Sequence, residues 1–314
     1  MRVARFFTIT TAYAMLCACS STSIASNAPT LASTATQAVN PATIPGGLLF
    51  VSDAFRQEVR IYDGSSDRLW GKIPFVALPG GLAVDASRDL YVAGFGGVTV
   101  YPQPYDRPSV QLSMLGQQAL AVAVAPNGTV AAIDAHNIFV YAAGSQQPCI
   151  EYAPPNYGRL TSVAFDSKND LFFTGYDTSR NVAISKMAAQ CGNVDSTQLT
   201  IGNTLRSANG IAIGQNDRLS VLDTSARTIF TYRPPSGNSL GNPIASTILQ
   251  RQSVRTPVAF AFDATGKSVY TADIASGQVD EFAFPKGGVP TDTLTTGGQP
   301  VGIAIVPPYL PKAQ

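Results

Sequence analysis

The stretch Leu82-Ala83-Val84 is the first of six triplets in which an alanine lies between two larger apolar residues. The other five triplets are Val122-Ala123-Val124, Val163-Ala164-Phe165, Ile211-Ala212-Ile213, Phe260-Ala261-Phe262 and Ile303-Ala304-Ile305. Their central alanines are separated by 40, 41, 48, 49 and 43 residues. Self-similarity at this spacing is typical of the blades of a β-propeller.

The residues that follow each of the first five triplets predict three more strands. A cluster of turn-forming residues comes first, for example Pro126-Asn127-Gly128, and a second strand such as Leu171-Phe172-Phe173 follows it. A third strand then begins with a β-branched residue, at Val98, Ile138, Val182, Ile229 and Val279. A more polar fourth strand, for example 109–113, completes the unit. Four antiparallel strands in each repeat make one propeller blade.

The two ends of the repeat region complement each other. Leu49-Phe50-Val51-Ser52-Asp53 and Val59-Arg60-Ile61-Tyr62 match second and third strands, but no inner strand precedes them. Gly302-Ile303-Ala304-Ile305 matches an inner strand, but no second strand follows it. The sequence therefore predicts an all-β, six-bladed propeller over residues 46–314, closed by pairing the C-terminal strand with the N-terminal blade.

The repeat resembles a known group of propellers. Pro79-Gly80-Gly81-Leu82-Ala83-Val84-Asp85, followed by Leu90-Tyr91-Val92-Ala93, is similar to NHL repeats and to the related SMP-30/gluconolactonase-like propellers. The likeness covers residues 46–307. It implies the propeller fold but leaves function open, because such propellers include lactonases, lyases and plain binding modules.

For the metal-dependent lactonases, the resemblance implies a divalent ion on the axis, held by carboxylate and asparagine oxygens. Asn209 resembles one such ligand, although it also suits a simple turn. The matching positions of the other repeats are Gly80, Leu120, Thr161, Val258 and Val301. Because a hard cation needs carboxylates and none stands at these positions, we expect no metal and no other cofactor.

The N-terminal residues indicate export. Arg2 and Arg5 precede the apolar run Phe6–Leu16, which is too short to span a bilayer, so residues 1–18 are predicted to be a signal peptide. Leu16-Cys17-Ala18-Cys19 resembles the bacterial lipobox, which implies lipidation of Cys19; an ordinary cleavable signal is the alternative. Residues 19–45 predict a flexible Ser/Thr/Ala linker. We therefore expect an extracytoplasmic protein, lipid-anchored in the bacterial cell envelope (outer membrane or periplasm) or secreted, that contacts the membrane only through its anchor.

Charge and histidine content restrict the function. The chain has 21 basic and 20 acidic residues and a net charge of +1, which argues against nucleic acid as a partner. His136 is the only histidine, and no nucleophile elbow, Walker loop or HExxH motif is present. These features favour a binding or scaffolding module. The alternative is a lactonase-like hydrolase or a lyase that uses Asn209 and His136 near the axis.

Arginines are the candidate ligand-binding residues. Loops between second and third strands, and loops that join blades, emerge on one face and carry Arg56, Arg159, Arg180, Arg206, Arg227 and Arg255. Together with Asn209 they predict a site for an anionic small molecule, a glycan or a protein partner, because the guanidinium fork suits carboxylates and phosphates. The alternative is that Asp53, Asp134, Asp177, Asp223 and Asp273, near the same face, neutralise these arginines in weak surface ion pairs.

Cys149 and Cys191 are the cysteines of the predicted propeller. They occupy near-equivalent places in adjacent blades, so in an oxidising compartment they are a possible disulfide. Two unpaired thiols are the alternative. Neither cysteine belongs to a CxxC or metal-binding pattern.

Overall fold

The structure is a computed structural model that describes residues 47–64, 66–192, 194–250 and 256–307. These residues form 25 strands and a single-turn 3₁₀ helix, Gln215–Asp217, so the all-β prediction is confirmed. No helix in these ranges is long and apolar enough to cross a bilayer. The predicted signal peptide, the linker, Cys19 and Arg255 lie outside the described residues.

The first three blades, each given from the inner to the outer strand, are as follows. Blade 1 contains β25 (Pro300–Val306), β1 (Leu48–Asp53), β2 (Glu58–Asp63) and β3 (Leu69–Ile73). Blade 2 contains β4 (Leu82–Val84), β5 (Leu90–Tyr101) and β6 (Val110–Gln118). Blade 3 contains β7 (Ala121–Val124), β8 (Val130–Ile133), β9 (Ile138–Tyr141) and β10 (Ile150–Tyr152).

The remaining three blades follow the same order. Blade 4 contains β11 (Tyr157–Phe165), β12 (Asp170–Asp177), β13 (Val182–Ala188) and β14 (Ser196–Gln198). Blade 5 contains β16 (Gly210–Ile213), β17 (Leu219–Asp223), β18 (Thr228–Tyr232) and β20 (Ala245–Ile248). Blade 6 contains β21 (Pro257–Phe262), β22 (Ser268–Asp273), β23 (Gln278–Ala283) and β24 (Asp292–Thr295). A short parallel pair, β15 (Thr200–Ile201) and β19 (Ser239–Gly241), lies beside them.

Blade 1 closes the ring as predicted. β25 pairs antiparallel with β1, and the register sets Leu48 opposite Val306 and Phe50 opposite Ala304. The inner strands β25, β4, β7, β11, β16 and β21 contact one another in that order, and β21 returns to β25. The chain therefore forms one closed ring of six blades.

Blade 2 departs from the predicted pattern. The second and third strands expected there belong to one continuous run, β5, whose first part pairs with β4 and whose second part pairs with β6. In place of a separate turn, Phe95 pairs with Gln118 and Gly97 with Ser113 of β6, and the register shifts between these two pairs. Gly96 and Gly97 have φ of 85° and 131°, a conformation that larger side chains rarely adopt.

The core lies between the blades. Each blade buries side chains against both neighbours, and the largest fully buried ones include Phe50, Phe172, Phe282, Tyr141 and Tyr232. Burial of one such ring contributes roughly 1.5–3 kcal/mol to folding. Two-sided burial explains why apolar residues predominate in the second strands.

The ring has two faces with different connections. Loops between second and third strands, and loops that join one blade to the next, emerge on one face, which we call the linker face. The turns between first and second strands, and between third and fourth strands, emerge on the opposite face, the turn face. This alternation follows from the antiparallel order of the blades.

Candidate functional site: an arginine cavity between blades 4 and 5

Five of the six blades end their second strand, or follow it at once, with an aspartate on the linker face. These are Asp53, Asp134, Asp177, Asp223 and Asp273. All except the half-buried Asp177 are buried. Each carboxylate accepts backbone N–H groups of nearby loops, as Asp273 does from Ala275 and Ser276 at 3.0 Å each. The repeated aspartate therefore fixes the conformation of the linker-face loops.

Among the described residues, Asp53 alone forms an ion pair with one of the predicted arginines. Arg56 Nη1 lies 2.8 Å from Asp53 Oδ2. Burial disfavours the charged form of Asp53, but hydrogen bonds from the Gln299 N–H, the Arg56 side chain and the Arg56 N–H outweigh it and lower the pKa of Asp53. Beside it, Arg60 binds Glu58 Oε1 at 2.8 Å and the Thr296 carbonyl at 2.7 Å. In blade 1, arginine therefore joins β1 and β2 to the loop that leads into the closing strand.

Arg180 and Arg206 line one cavity on the linker face, between blades 4 and 5. Its volume is about 530 Å³. Both side chains are exposed, and neither forms an ion pair with any residue that the structure describes. The cavity therefore contains two uncompensated guanidinium groups.

Two aspartates hold the backbone at these arginines and leave the side chains unpaired. The Asp177 carboxylate accepts the N–H groups of Ser179 and Asn181, both at 2.8 Å, and Arg180 between them has φ of 68°. The buried Asp223 accepts the backbone N–H of Arg206 at 2.8 Å. Because these carboxylates bind backbone groups, the expected aspartate–arginine ion pairs do not form at this cavity.

The rest of the cavity lining is mostly polar and uncharged. The remaining lining residues are Asn181, Val182, Gln198, Leu199, Thr200, Ile201, Asn203, Thr204 and Leu205. No carboxylate is among them. The cavity can therefore offer amide, hydroxyl and guanidinium donors to an anionic, oxygen-rich ligand.

The other predicted arginines are not brought to this cavity. Arg159 lies in β11 and Arg227 lies at the end of the loop before β18, and both are exposed. Arg56 is held in blade 1. Of the five predicted arginines that the structure describes, two therefore lie in the same cavity.

Asn209 lies at the linker-face end of the axis, in a separate cavity of about 120 Å³. Leu120, Thr161, Val258 and Val301 line the same cavity, as the repeat alignment predicts, and no carboxylate does. The Asn209 amide donates to Thr224 Oγ1 at 2.9 Å. Within the described ranges no group of three or more His, Cys, Asp or Glu side chains could hold a metal ion.

The turn-face end of the axis is an apolar cavity of about 190 Å³, lined by the six alanine-centred triplets and Pro126. His136 lines neither axial cavity; it is exposed in a linker-face loop. Its backbone N–H donates to Asp134 at 2.6 Å. The structure does not bring Asn209 and His136 together in one of these cavities.

Cys149 and Cys191 form a disulfide, with their Cα atoms 5.4 Å apart. The bond joins blade 3 to blade 4, because Cys149 precedes β10 and Cys191 lies between β13 and β14. Adjacent blades are thus linked covalently at the turn face.

The turn face also carries arginine. Its arginines are Arg68, Arg88, Arg107, Arg218 and Arg233. Arginine is therefore not confined to the linker face. Arg218 and Arg233 line a second cavity, between blades 5 and 6.

An apolar patch occupies the linker face of blades 1 and 2. It consists of Phe55, Phe75, Leu78, Phe95 and Leu115, which are between 46% and 95% exposed. Backbone hydrogen bonds link the segments that carry four of these residues, all but Leu115: the Val76 N–H donates to the Gln57 carbonyl and the Phe95 N–H to the Ala77 carbonyl. Phe75, Leu78 and Leu115 have φ between 47° and 60°, which is unusual for large side chains. Sequence reasoning missed this patch, although residues 108–133 carry no charge.

Comparison with known proteins supports the fold alone. The sequence matches no known protein family and no curated protein. A chain from the crystal structure of a nidogen/laminin complex is similar, with 15% identity, a TM-score of 0.61 and coverage of 82% of this chain and 97% of that one. Virginiamycin B lyase from Staphylococcus aureus matches with 14% identity and a TM-score of 0.52, over 79% of this chain and 84% of the lyase. Its catalytically inactive variant with quinupristin matches with 14% identity and a TM-score of 0.54, over 86% and 95%.

Proposed function

We propose that this propeller is a binding module and that the arginine cavity between blades 4 and 5 takes an anionic ligand. The observation that carries the proposal is that Arg180 and Arg206 line the same cavity and that no carboxylate is among its lining residues. Each arginine has its backbone held by an aspartate, so the site is partly organised before a ligand arrives. The amide and hydroxyl side chains around them favour a ligand rich in oxygen, such as a sugar acid or a short acidic glycan.

Calorimetric titration with an oligosaccharide that contains glucuronic acid tests this function. We expect binding that weakens with added salt, and about tenfold weaker binding for each of Arg180→Gln and Arg206→Gln. Arg227→Gln is the matched control, because Arg227 is an exposed arginine of the same face outside the cavity. The proposal fails if this oligosaccharide, citrate and an acidic peptide all bind equally well to the parent protein and to the double variant.

A second candidate function, assembly with a protein, is supported by the apolar patch of blades 1 and 2. An exposed cluster of three phenylalanines and two leucines is unusual on a monomer. The partner that suits it best is a second copy of the chain, since the segments 74–78, 94–97 and 114–118 carry no charge and the net charge of +1 gives little repulsion.

Analytical ultracentrifugation tests this assembly. Phe75→Gly removes the most exposed ring and suits the positive φ at that position, so we expect a folded protein with weaker self-association. Val289→Gly is the control, because Val289 is 70% exposed on the turn face. A parent protein that stays monomeric up to about 1 mM would exclude self-assembly.

An enzymatic alternative, a lactonase-like hydrolase or a lyase at the axis, has less support. The axial cavities are lined mostly by aliphatic and phenylalanine side chains, with Thr161, Ser162 and Asn209, and His136 lies outside both. Metal analysis of the purified protein and a lactone-hydrolysis assay distinguish the two functions. Chelator-sensitive hydrolysis would favour the enzyme.

The proposal also covers the cellular location of the protein and the family to which it belongs. The lipobox-like sequence at Cys19 supports a lipid-anchored protein of the bacterial cell envelope, and the repeat supports an NHL-like propeller. Metabolic labelling with an alkyne fatty acid tests the anchor: label should enter the parent protein and be lost in Cys19→Ser. Unlabelled protein in the culture medium would favour plain secretion.

A further inference from the structure

A second cavity, of about 420 Å³, opens on the turn face between blades 5 and 6. A volume of this size suits a small molecule. It lies on the opposite face from the cavity of Arg180 and Arg206, and the two share no lining residue. What it binds is therefore independent of the proposed function.

The hairpin of β17 and β18 presents the charged side of this cavity. Leu219 of β17 pairs with Tyr232 of β18, so Arg218 and Arg233 flank that pair at the same end of the hairpin. Both arginines are exposed and line the cavity. Neither forms an ion pair with a residue in the described ranges.

Nearby carboxylates are engaged elsewhere. Asp217 accepts the N–H and the hydroxyl of Ser167, at 3.0 and 2.7 Å, across the boundary between blades 4 and 5. Asp263 accepts N–H groups of its own turn, from Lys267 and Ser268. No carboxylate lines the cavity, so nothing in its lining neutralises the two guanidinium groups.

A buried hydroxyl pair adds a further donor. Ser220 and Thr231 are cross-strand neighbours, are 0% and 3% exposed, and line the cavity. Their oxygens lie 3.0 Å apart, so one hydroxyl donates to the other. The accepting hydroxyl keeps its own proton, for which no acceptor is found among the described residues. A ligand oxygen in the cavity would supply that acceptor.

The opposite side of the cavity is aromatic. Phe262 and Phe284 both line it, with their ring centroids 4.8 Å apart in an edge-to-face arrangement. An apolar body that contacts these rings would be removed from water, while an acidic group attached to it could reach the arginines.

We propose that this cavity is a binding site for a small amphipathic acid, an aromatic or short aliphatic carboxylate. The carboxylate binds Arg218, Arg233 and the hydroxyl pair of Ser220 and Thr231. The apolar body lies against Phe262 and Phe284. An inorganic anion would leave the aromatic side unused, and a neutral aromatic compound would leave the donors unpaired.

Titration with 3-phenylpropionate and with its neutral counterpart 3-phenylpropan-1-ol, followed by calorimetry, tests the site in the full chain. We expect the acid to bind with a dissociation constant between about 1 µM and about 1 mM, and the alcohol to bind about tenfold more weakly or not at all. Arg218→Gln and Arg233→Gln should each weaken binding of the acid about tenfold. Thr231→Val should weaken it less and should leave binding of the alcohol unchanged.

Arg107→Gln is the matched control, because Arg107 is an exposed arginine of the turn face outside the cavity, and it should not change affinity. Equal binding of acid and alcohol would overturn the proposal, as would full affinity in the variant that lacks both Arg218 and Arg233. If Arg180→Gln weakened binding of the acid and Arg218→Gln did not, the acid would bind in the linker-face cavity, which would also overturn the proposal. The results for Arg218 and Arg233 do not bear on glucuronate binding at Arg180 and Arg206, so the two proposals can fail separately.

Discussion

Blade 1 and the cavity between blades 4 and 5 use the same two residue types, on the same face, in opposite ways. In blade 1 the Asp53 carboxylate binds the guanidinium of Arg56, and Arg60 binds the Thr296 carbonyl. At the cavity, Asp177 and Asp223 bind backbone N–H groups, and the side chains of Arg180 and Arg206 form no ion pair within the described part of the chain. An arginine whose charge is neutralised stabilises the ring, whereas one whose charge is not neutralised is available to a ligand.

Removal of the closing strand β25 tests whether the contacts of blade 1 hold the ring together, and it should have the largest effect on stability. A chain that ends after Gln299 lacks β25, so blade 1 loses its inner strand and β1 loses its partner. We expect loss of the cooperative thermal transition by calorimetry, whereas a chain that ends after Pro307 should unfold like the parent. An unchanged transition in the shorter chain would show that closure contributes little.

The disulfide lies away from the closure and should matter less. The change Cys149→Ala with Cys191→Ala removes a cross-link between residues 42 positions apart, which corresponds to roughly 3–4 kcal/mol of unfolding free energy in the chain-entropy account. Urea unfolding of the parent and of the double variant measures the loss. Equal stabilities, with two titratable thiols in the unfolded parent without reductant, would contradict the bond.

Exchange of single aspartates compares the two regions directly and should give the smallest effects. Asp53→Asn removes the charge that pairs with Arg56, and the Asp53 side chain is only 1% exposed. We therefore expect the free energy of unfolding, measured in urea at pH 7, to fall by about 1–3 kcal/mol. Asp177→Asn, at the equivalent position of blade 4, should cost less because its turn is more exposed. An equal loss at the two positions would remove the distinction between the regions.

The pH dependence of the Asp53 effect has a fixed sign. Because folding lowers the pKa of Asp53, its stabilising contribution is present above the pKa of an unfolded aspartate, about 3.9, and is lost as the pH falls through the folded pKa. The difference between the parent and Asp53→Asn should therefore be constant above about pH 5 and shrink below about pH 4. A difference that grows on acidification would contradict the assignment.

The repeat predicted the ring because its signal is local and periodic. The triplet Val122-Ala123-Val124 belongs to the inner strand Ala121–Val124. The unmatched strands at the two ends of the repeat region predicted that these ends pair and close the ring, as β1 and β25 do. Blade 2 deviated because the pairing of Phe95 with Gln118 depends on a strand about 20 residues away along the chain, which no local turn signal reports.

The use of the aspartates could not be predicted from the sequence. Asp53 and Asp177 occupy equivalent positions, and both are followed by an arginine three residues later, Arg56 and Arg180. Whether that arginine turns back to the carboxylate depends on the loop: Arg180 has a positive φ, whereas in blade 1 the positive φ falls on Gln57. The hairpin register could have revealed Arg218 and Arg233, because they flank a predictable pair of strands.

Closure by a distant strand also determines when the protein can become stable during its synthesis. The Gln299 N–H donates to an Asp53 carboxylate 246 residues earlier in the chain, and β25 follows directly. A ribosome releases β1 long before β25, so the first blade must wait as an incomplete sheet while five others are translated. During that interval the nascent chain presents an unpaired strand to chaperones and proteases, which makes the time of translation part of what determines the yield of the finished ring.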